Sequence, residues 1–179
     1  MKKLIIIFIF LILPLISYSK TIRNVTIKTL DNNIYLNFSL SELLTPEIVE
    51  ILKNGVQITI TYYVQIKQPQ TFWIFSDKIL IEKIIKRDVK YNMWEKLFIC
   101  IENKNEIKFE NYLKLNQYLI NIENFKICNL NEIKNKEDLY IAIKAKLESF
   151  KLFPPLSWIY DLVLTRGFET DWYIKKFKK

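Results

Sequence analysis

Three glutamates, Glu102, Glu106 and Glu110, recur at every fourth position, and Asp161, Glu169 and Asp171 gather near the carboxyl end. Paired carboxylates are what general acid–base and glycoside chemistry require. The first set straddles an expected turn at Asn103-Lys104-Asn105, so its members read as solvated charges. The second set makes a pair only if folding brings it together. Other chemistry is cut back by composition. The chain has no histidine, which removes Ser-His-Asp and Cys-His nucleophile systems and histidine-containing zinc sites. Its two cysteines cannot complete a tetrahedral sulfur site, and glycine at only positions 55 and 167 leaves no phosphate-cradling loop. No catalytic, cofactor-binding or metal-ligating residue is therefore assigned, and no cofactor is expected.

Cys100 and Cys128 remain. In an oxidising compartment they form a candidate disulfide, which would stabilise the fold by roughly 3–4 kcal/mol. The other reading is two separate buried thiols. A second group of interest is the tail, where Trp172, Tyr173 and Phe177 stand among Lys175, Lys176, Lys178 and Lys179. Aromatic rings beside lysines suit a membrane interface or an acidic partner. They also suit an aromatic lid with solvated lysines.

The elements that position these residues begin with a leader. Lys2 and Lys3 precede an apolar run from Leu4 to Ile16, broken only by Pro14, and Ser17-Tyr18-Ser19 supplies small residues where a signal peptidase reads. The run is shorter than the roughly 20 residues that span a bilayer. Residues 1–19 are expected to be a signal peptide cut after Ser19, with an uncleaved anchor as the alternative. Residues 20–179 are expected to form one β-rich domain, irregular from about residue 150. The formal charge of +8 suits an anionic membrane surface or an acidic envelope partner. Nucleic acid is not an expected partner in that compartment, and neither is a metal.

Strands are expected from Ile22 to Thr29 and through Ile34, Leu36, Phe38 and Leu40, joined by a turn at Asp31-Asn32-Asn33. Thr45 and Pro46 open a helix that Gly55 closes, with Leu44 and Val49 as a hydrophobic staple. Val56 to Lys67 alternates strictly, which predicts Ile58, Ile60 and Val64 inward and Thr59 and Gln65 outward. A strand within Lys78 to Tyr91 keeps one apolar parity, broken by Lys83 and Arg87, with a bulge or helical turn expected between Glu82 and Lys86. Leu97, Ile99 and Ile101 return after a turn at Asn92 to Glu95. A short strand at Ile107 to Phe109 leads to a helix from Tyr112 to Ile120, capped by Asn111. Strands through Phe125 and Ile127, and from Leu139 to Leu147, complete the pattern. The fold class is mainly β (α+β): an antiparallel β-sandwich or open barrel of about eight strands with two short helices.

This order of motifs is similar to a known family. A capped helix ends at Gly55, a long strand carries Tyr62 and Tyr63, and Trp73 follows. A basic strand closes on Tyr91, Pro154 to Leu156 comes late, and Trp172 stands near the end. Together they resemble a bacterial domain-of-unknown-function family, numbered four-three-nine-zero, of small exported proteins. The resemblance covers roughly Ile22 to Ile174. The family carries Leu-Pro-x-Pro-Leu where this chain has Phe153-Pro154-Pro155-Leu156. It transfers no catalytic residue. It implies an envelope protein that accompanies membrane machinery such as a sensor kinase. The expected function is a non-enzymatic interaction module in the periplasm or cell envelope, acting at the membrane surface with a membrane-protein partner. The alternative is a carrier of an apolar ligand between the sheets.

Overall fold

Asp31 and Asn32 make the first reversal of the chain, both in left-handed backbone at φ 48° and 58°. That geometry matches the twist of the strands it joins, β1 (Ile22–Leu30) and β2 (Asn33–Leu40). The structure is a computed structural model that describes residues 21–70, 76–133, 138–151 and 168–176. The expected leader, Trp73, Pro154 to Leu156, Asp161, Phe177, Lys178 and Lys179 lie outside the described residues.

On β2, Ile34, Leu36, Phe38 and Leu40 all turn inward and are buried, as the alternation requires. Helix α1 (Pro46–Lys53) follows. Pro46 sits in its first turn, and Leu44 and Val49 are buried together at its entry. Thr45 is the N-cap residue, but its side chain makes no capping hydrogen bond, contrary to expectation. The helix ends through its own sequence. Gly55, at φ 88°, lets its N–H reach Leu52 O (3.0 Å) and the Val56 N–H reach Ile51 O (3.3 Å), the paired closure that an αL residue permits.

The chain continues through β3 (Gln57–Gln68), β4 (Lys78–Asn92), β5 (Leu97–Glu102), β6 (Asn105–Phe109), α2 (Tyr112–Ile120) and β7 (Asn121–Asn129). A 3-10 turn at Leu130–Glu132 precedes β8 (Tyr140–Lys151) and β9 (Tyr173–Lys176). Two antiparallel sheets result, ordered β1-β2-β7 and β6-β5-β4-β3-β8-β9. The architecture is an open sandwich and not a closed barrel. Its inward side chains form one continuous apolar cluster drawn from both sheets. The Phe38 ring meets Tyr62 edge-on at 5.9 Å across the interface.

A three-stranded sheet cannot cover a six-stranded one. Strand β1 lies over β8 and β7 over β4, while α2 packs on β5 and β6 where the smaller sheet runs out. Leu115 and Leu119 of α2 are fully buried there.

Some local expectations give way. Strand β4 runs unbroken through Glu82 to Lys86. Its register slips instead at Leu80, between the Ile66–Ile81 and Lys67–Ile79 pairs. On β5, Phe98 and Cys100 pair with Tyr91 and Val89 and take the core side, while Leu97, Ile99 and Ile101 take the outer face. Gln65 is buried, not outward in solvent, and Thr61, four residues earlier on the same face, is buried too. Strand β3 is flanked on both sides, so its outward side chains are screened by those of β4 and β8, and Gln65 donates to Glu82 of β4.

Ile60 is fully buried, whereas Thr59 is half-buried and donates to Asp88 Oδ1 at 2.5 Å. Ile60→Ala is expected to cost about 2–5 kcal/mol as a cavity. Thr59→Ala is expected to cost about 1 kcal/mol, the net value of one hydrogen bond. Urea unfolding of the two variants checks this, and equal losses would contradict the register.

Candidate functional site

Helix α2 ends without a glycine. Its C-cap residue, Asn121, is extended (φ −106°, ψ 125°) and leads directly into β7, so no following N–H turns back onto the last carbonyls. Those carbonyls still need donors. Three side chains supply them. Asn121 Nδ2 donates to Gln117 O at 3.0 Å, Arg87 Nη1 donates to Tyr118 O at 2.6 Å and to Leu119 O at 3.4 Å, and Tyr62 Oη donates to Leu119 O at 2.5 Å.

Arg87 reaches this place because it shares the inward parity of Ile85 and Val89 on β4. It is 6% exposed. A buried charge needs a partner, and Glu102 supplies it, with Arg87 Nε donating to Glu102 Oε2 at 2.8 Å. The turn at Asn103 and Lys104 (φ 49° and 70°) ends β5 just where Glu102 stands beside Arg87. Tyr118 Oη donates to the same carboxylate oxygen at 2.5 Å. The guanidinium lies 4.1 Å from the Tyr118 ring centre and 5.8 Å from that of Tyr62, a cation–π arrangement that adds to the ion pair.

Burial pushes Cys100 up to about 12 and Tyr118 up to about 12, the Glu102 hydrogen bond adding to the second, and it raises Tyr62 as well. For Arg87, burial opposes the charge, but Tyr62, Glu102 and Tyr118 around it outweigh that and hold it above its ordinary value. The arrangement is a clamp: a fixed positive charge on a helix C-terminus, where the helix dipole favours it, tied through Glu102 to the neighbouring strand.

The other residues singled out from the sequence fall elsewhere. Of the glutamates spaced by four, Glu102 is drawn into the clamp and is not the solvated charge expected. Glu106 pairs with Lys90 at 3.5 Å and Glu110 with Lys114 at 3.2 Å, both on the surface. Glu169 pairs with Lys144 and lies 4.0 Å from Lys146, and Asp171 is exposed. Cys100 and Cys128 are free, separately buried thiols. Cys100 lies on β5 near Arg87 and Glu102, while Cys128 lies on β7 near Glu132, Lys83 and Lys126, and burial pushes it up to about 11. No group of three metal-ligating side chains occurs among the described residues.

The tail is partly engaged. Lys175 Nζ donates to the Val25 carbonyl of β1. The Trp172 ring lies 5.0 Å from Lys67 Nζ and 5.4 Å from Lys144 Nζ. Tyr173 packs against the core, and Lys176 is exposed.

Sequence reasoning saw a plain turn at Asn92 to Glu95 and missed what it displays. Asn92 Oδ1 accepts from the N–H groups of Trp94 (3.0 Å) and Glu95 (3.2 Å), the local bond that favours Asn in turns. This lifts Trp94 to 95% exposure, with Met93 exposed beside it. The pairing of Phe98 with Phe109 brings the start of α2, with exposed Tyr112 and Leu113, to the same end of the sheet. The signal available was a tryptophan inside a polar turn.

Two predictions follow from the buried thiols and tyrosines. Native protein at neutral pH is expected to resist thiol reagents, while denatured, unreduced protein labels at both Cys100 and Cys128. A mass showing no label after denaturation would contradict free thiols. Because Cys100 and Tyr118 are raised above their ordinary values of 9.0 and 10.0, their contribution to stability is complete below pH about 9 and is lost as pH climbs towards about 12. Cys100→Ala should make that alkaline decline shallower in urea titrations.

Two comparisons return nothing: no curated protein and no solved structure matches the chain. A family model described as "Domain of unknown function (DUF4390)" matches residues 19–175.

Proposed function

The chain belongs to the DUF4390 family, and from that premise we propose that it is an exported, non-enzymatic interaction module of the cell envelope that works at the membrane surface beside a membrane-protein partner. The family match opens at residue 19, directly behind the apolar run of the leader, which supports reading that run as an export signal. No helix among the described residues is long and apolar enough to cross a membrane. Among the described residues the buried side chains of both sheets form one packed cluster, which supports a module over a carrier of apolar ligands.

The observation that carries the reading is the end of the sandwich displaying Trp94, Met93, Leu113 and Tyr112. A tryptophan that is 95% exposed contributes nothing to the core and costs solubility. Such residues grouped at one end mark a contact surface. Trp and Tyr concentrate where a bilayer meets water, because one part of each ring is apolar and the other hydrogen-bonds. Around this end Glu95 pairs with Lys108 and Glu110 with Lys114, while Lys96 at the turn has no ion pair among these. The charges thus largely cancel at the tip. Lys176 pairs with Tyr140, which lies beside Lys67 at the opposite end of the large sheet, so the lysine-bearing tail would meet an anionic surface or acidic partner there and not at this tip.

Sedimentation with vesicles of mixed zwitterionic and anionic lipid tests this. Wild type is expected to sediment, and Met93→Ser/Trp94→Ser to sediment at least about tenfold less, a loss of burial for two large side chains. The melting temperature should not change, since both side chains are exposed. Raising salt, which screens exposed charges over about 10 Å, should leave this apolar attachment in place. Equal sedimentation of wild type and variant would refute the reading.

A further inference from the structure

Each sheet has two edges, and the chain treats them unequally. Strand β1 carries a bulge between Arg23 and Thr26, with Asn24 at φ 55°, and its Val25 carbonyl is taken by Lys175. Strand β7 is broken by register shifts on either side of Phe125 and Lys126, with Asn124 at φ 50°. Strand β9 is four residues long. These are devices that stop a sheet edge from pairing with another chain. Strand β6 is also short, at five residues, and exposes Glu106 and Lys108, but it has no bulge and no register shift. Asn105 to Phe109 stays in unbroken register with β5, and its side chains are exposed or half-buried.

The direction of its free backbone groups follows from the turn. Asn103 and Lys104 form a two-residue hairpin with both φ positive, so Glu102 and Asn105 are a hydrogen-bonded pair. Alternation then turns the N–H and C=O of Asn105, Ile107 and Phe109 towards β5. Those of Glu106 and Lys108 face outward, with no strand opposite among the described residues.

The structure assigns this edge to a second copy of the same chain, through antiparallel pairing of β6 with its counterpart about a two-fold axis at Ile107. The inference goes beyond the membrane reading and does not depend on it. In that register each Glu106 exchanges two backbone hydrogen bonds with the partner's Lys108, which uses the outward groups on both copies. The same step places the Glu106 carboxylate opposite the partner's lysine, twice per dimer, on the outer face. On the inner face the two half-buried Ile107 side chains meet and cover one another. The segment Glu106-Ile107-Lys108 is thus complementary to itself in charge, in backbone pattern and in apolar contact. An isologous contact of this kind closes at two copies and does not grow into a fibre.

Sedimentation equilibrium of the purified protein over a concentration series reads the outcome. Wild type should pass from monomer to dimer. Lys108→Glu sets like charges opposite one another at two places and should raise the dimer's dissociation constant about tenfold. Glu106→Lys/Lys108→Glu restores opposite charges between copies and should return the constant to near wild type. Within one copy, by contrast, it puts lysine beside Lys90 and glutamate beside Glu95, so a purely internal effect would worsen. Glu106→Pro removes an outward N–H without touching the bonds to β5 and should abolish the dimer with the fold intact by circular dichroism. Ile107→Cys, at a pair where Cα atoms lie about 4.5 Å apart, should form an intermolecular disulfide on mild oxidation, and Glu106→Cys should not. A wild type that stays monomeric at its highest soluble concentration overturns the assignment. So does a dimer that persists with its affinity unchanged in Glu106→Pro.

Discussion

The sandwich depends on holding α2 against the part of the large sheet that the small sheet leaves bare. Six strands offer an inner face twice the width that β1, β2 and β7 can cover. Without α2, Phe98, Cys100 and the inner side of β6 would face water. Helix α2 is nine residues long, too short to be stable alone. Its position must be imposed from outside, and Arg87 and Tyr62 impose it by bonding its terminal carbonyls.

The two helices show opposite solutions to one problem. The end of helix α1 is closed locally by Gly55, and only its buried face, Ile48, Val49, Ile51 and Leu52, relies on the rest of the fold. Helix α2 runs straight into β7, so apart from the Asn121 bond to Gln117 O its end is closed by residues far away in sequence, Arg87 and Tyr62. The cost is a buried charge. Desolvating a guanidinium and a carboxylate offsets most of their attraction, so the ion pair adds little by itself. What it contributes is specificity: only one placement of α2 satisfies Arg87, Glu102, Tyr118 and Tyr62 at once. Asn116 of α2 adds a link to the other helix by accepting the Leu44 N–H at 3.0 Å.

This difference explains what could be read from the sequence. Alternation along β2, β3 and the segment from Leu139 through β8 marked the inward faces, because the core-facing parity is apolar throughout: Ile34 to Leu40, Ile58 to Ile66, Leu139 to Leu147. Thr45-Pro46 and Gly55 marked α1, since those signals act within a few residues. The clamp was not legible. Lys83 and Arg87 break the parity of β4 in the same way, yet Lys83 is exposed and Arg87 is buried. Only the position of α2 distinguishes them. Glu102 looked like a member of a solvated series because its partner lies on another strand. Gln65 looked wet because its screening comes from β4 and β8. Trp94 sat inside a turn that was read for its backbone alone.

Native-state amide hydrogen exchange on Arg87→Met tests the central claim most directly. Methionine keeps much of the side-chain volume and removes the donors and the charge. The account predicts a selective loss of protection in α2, at Leu115 to Ile120, and in β6, while the amides of β2 and β3 keep theirs relative to global stability. Protection in α2 that falls no further than that of β3, or does not fall, would show that the helix is held by apolar packing alone and would contradict the account.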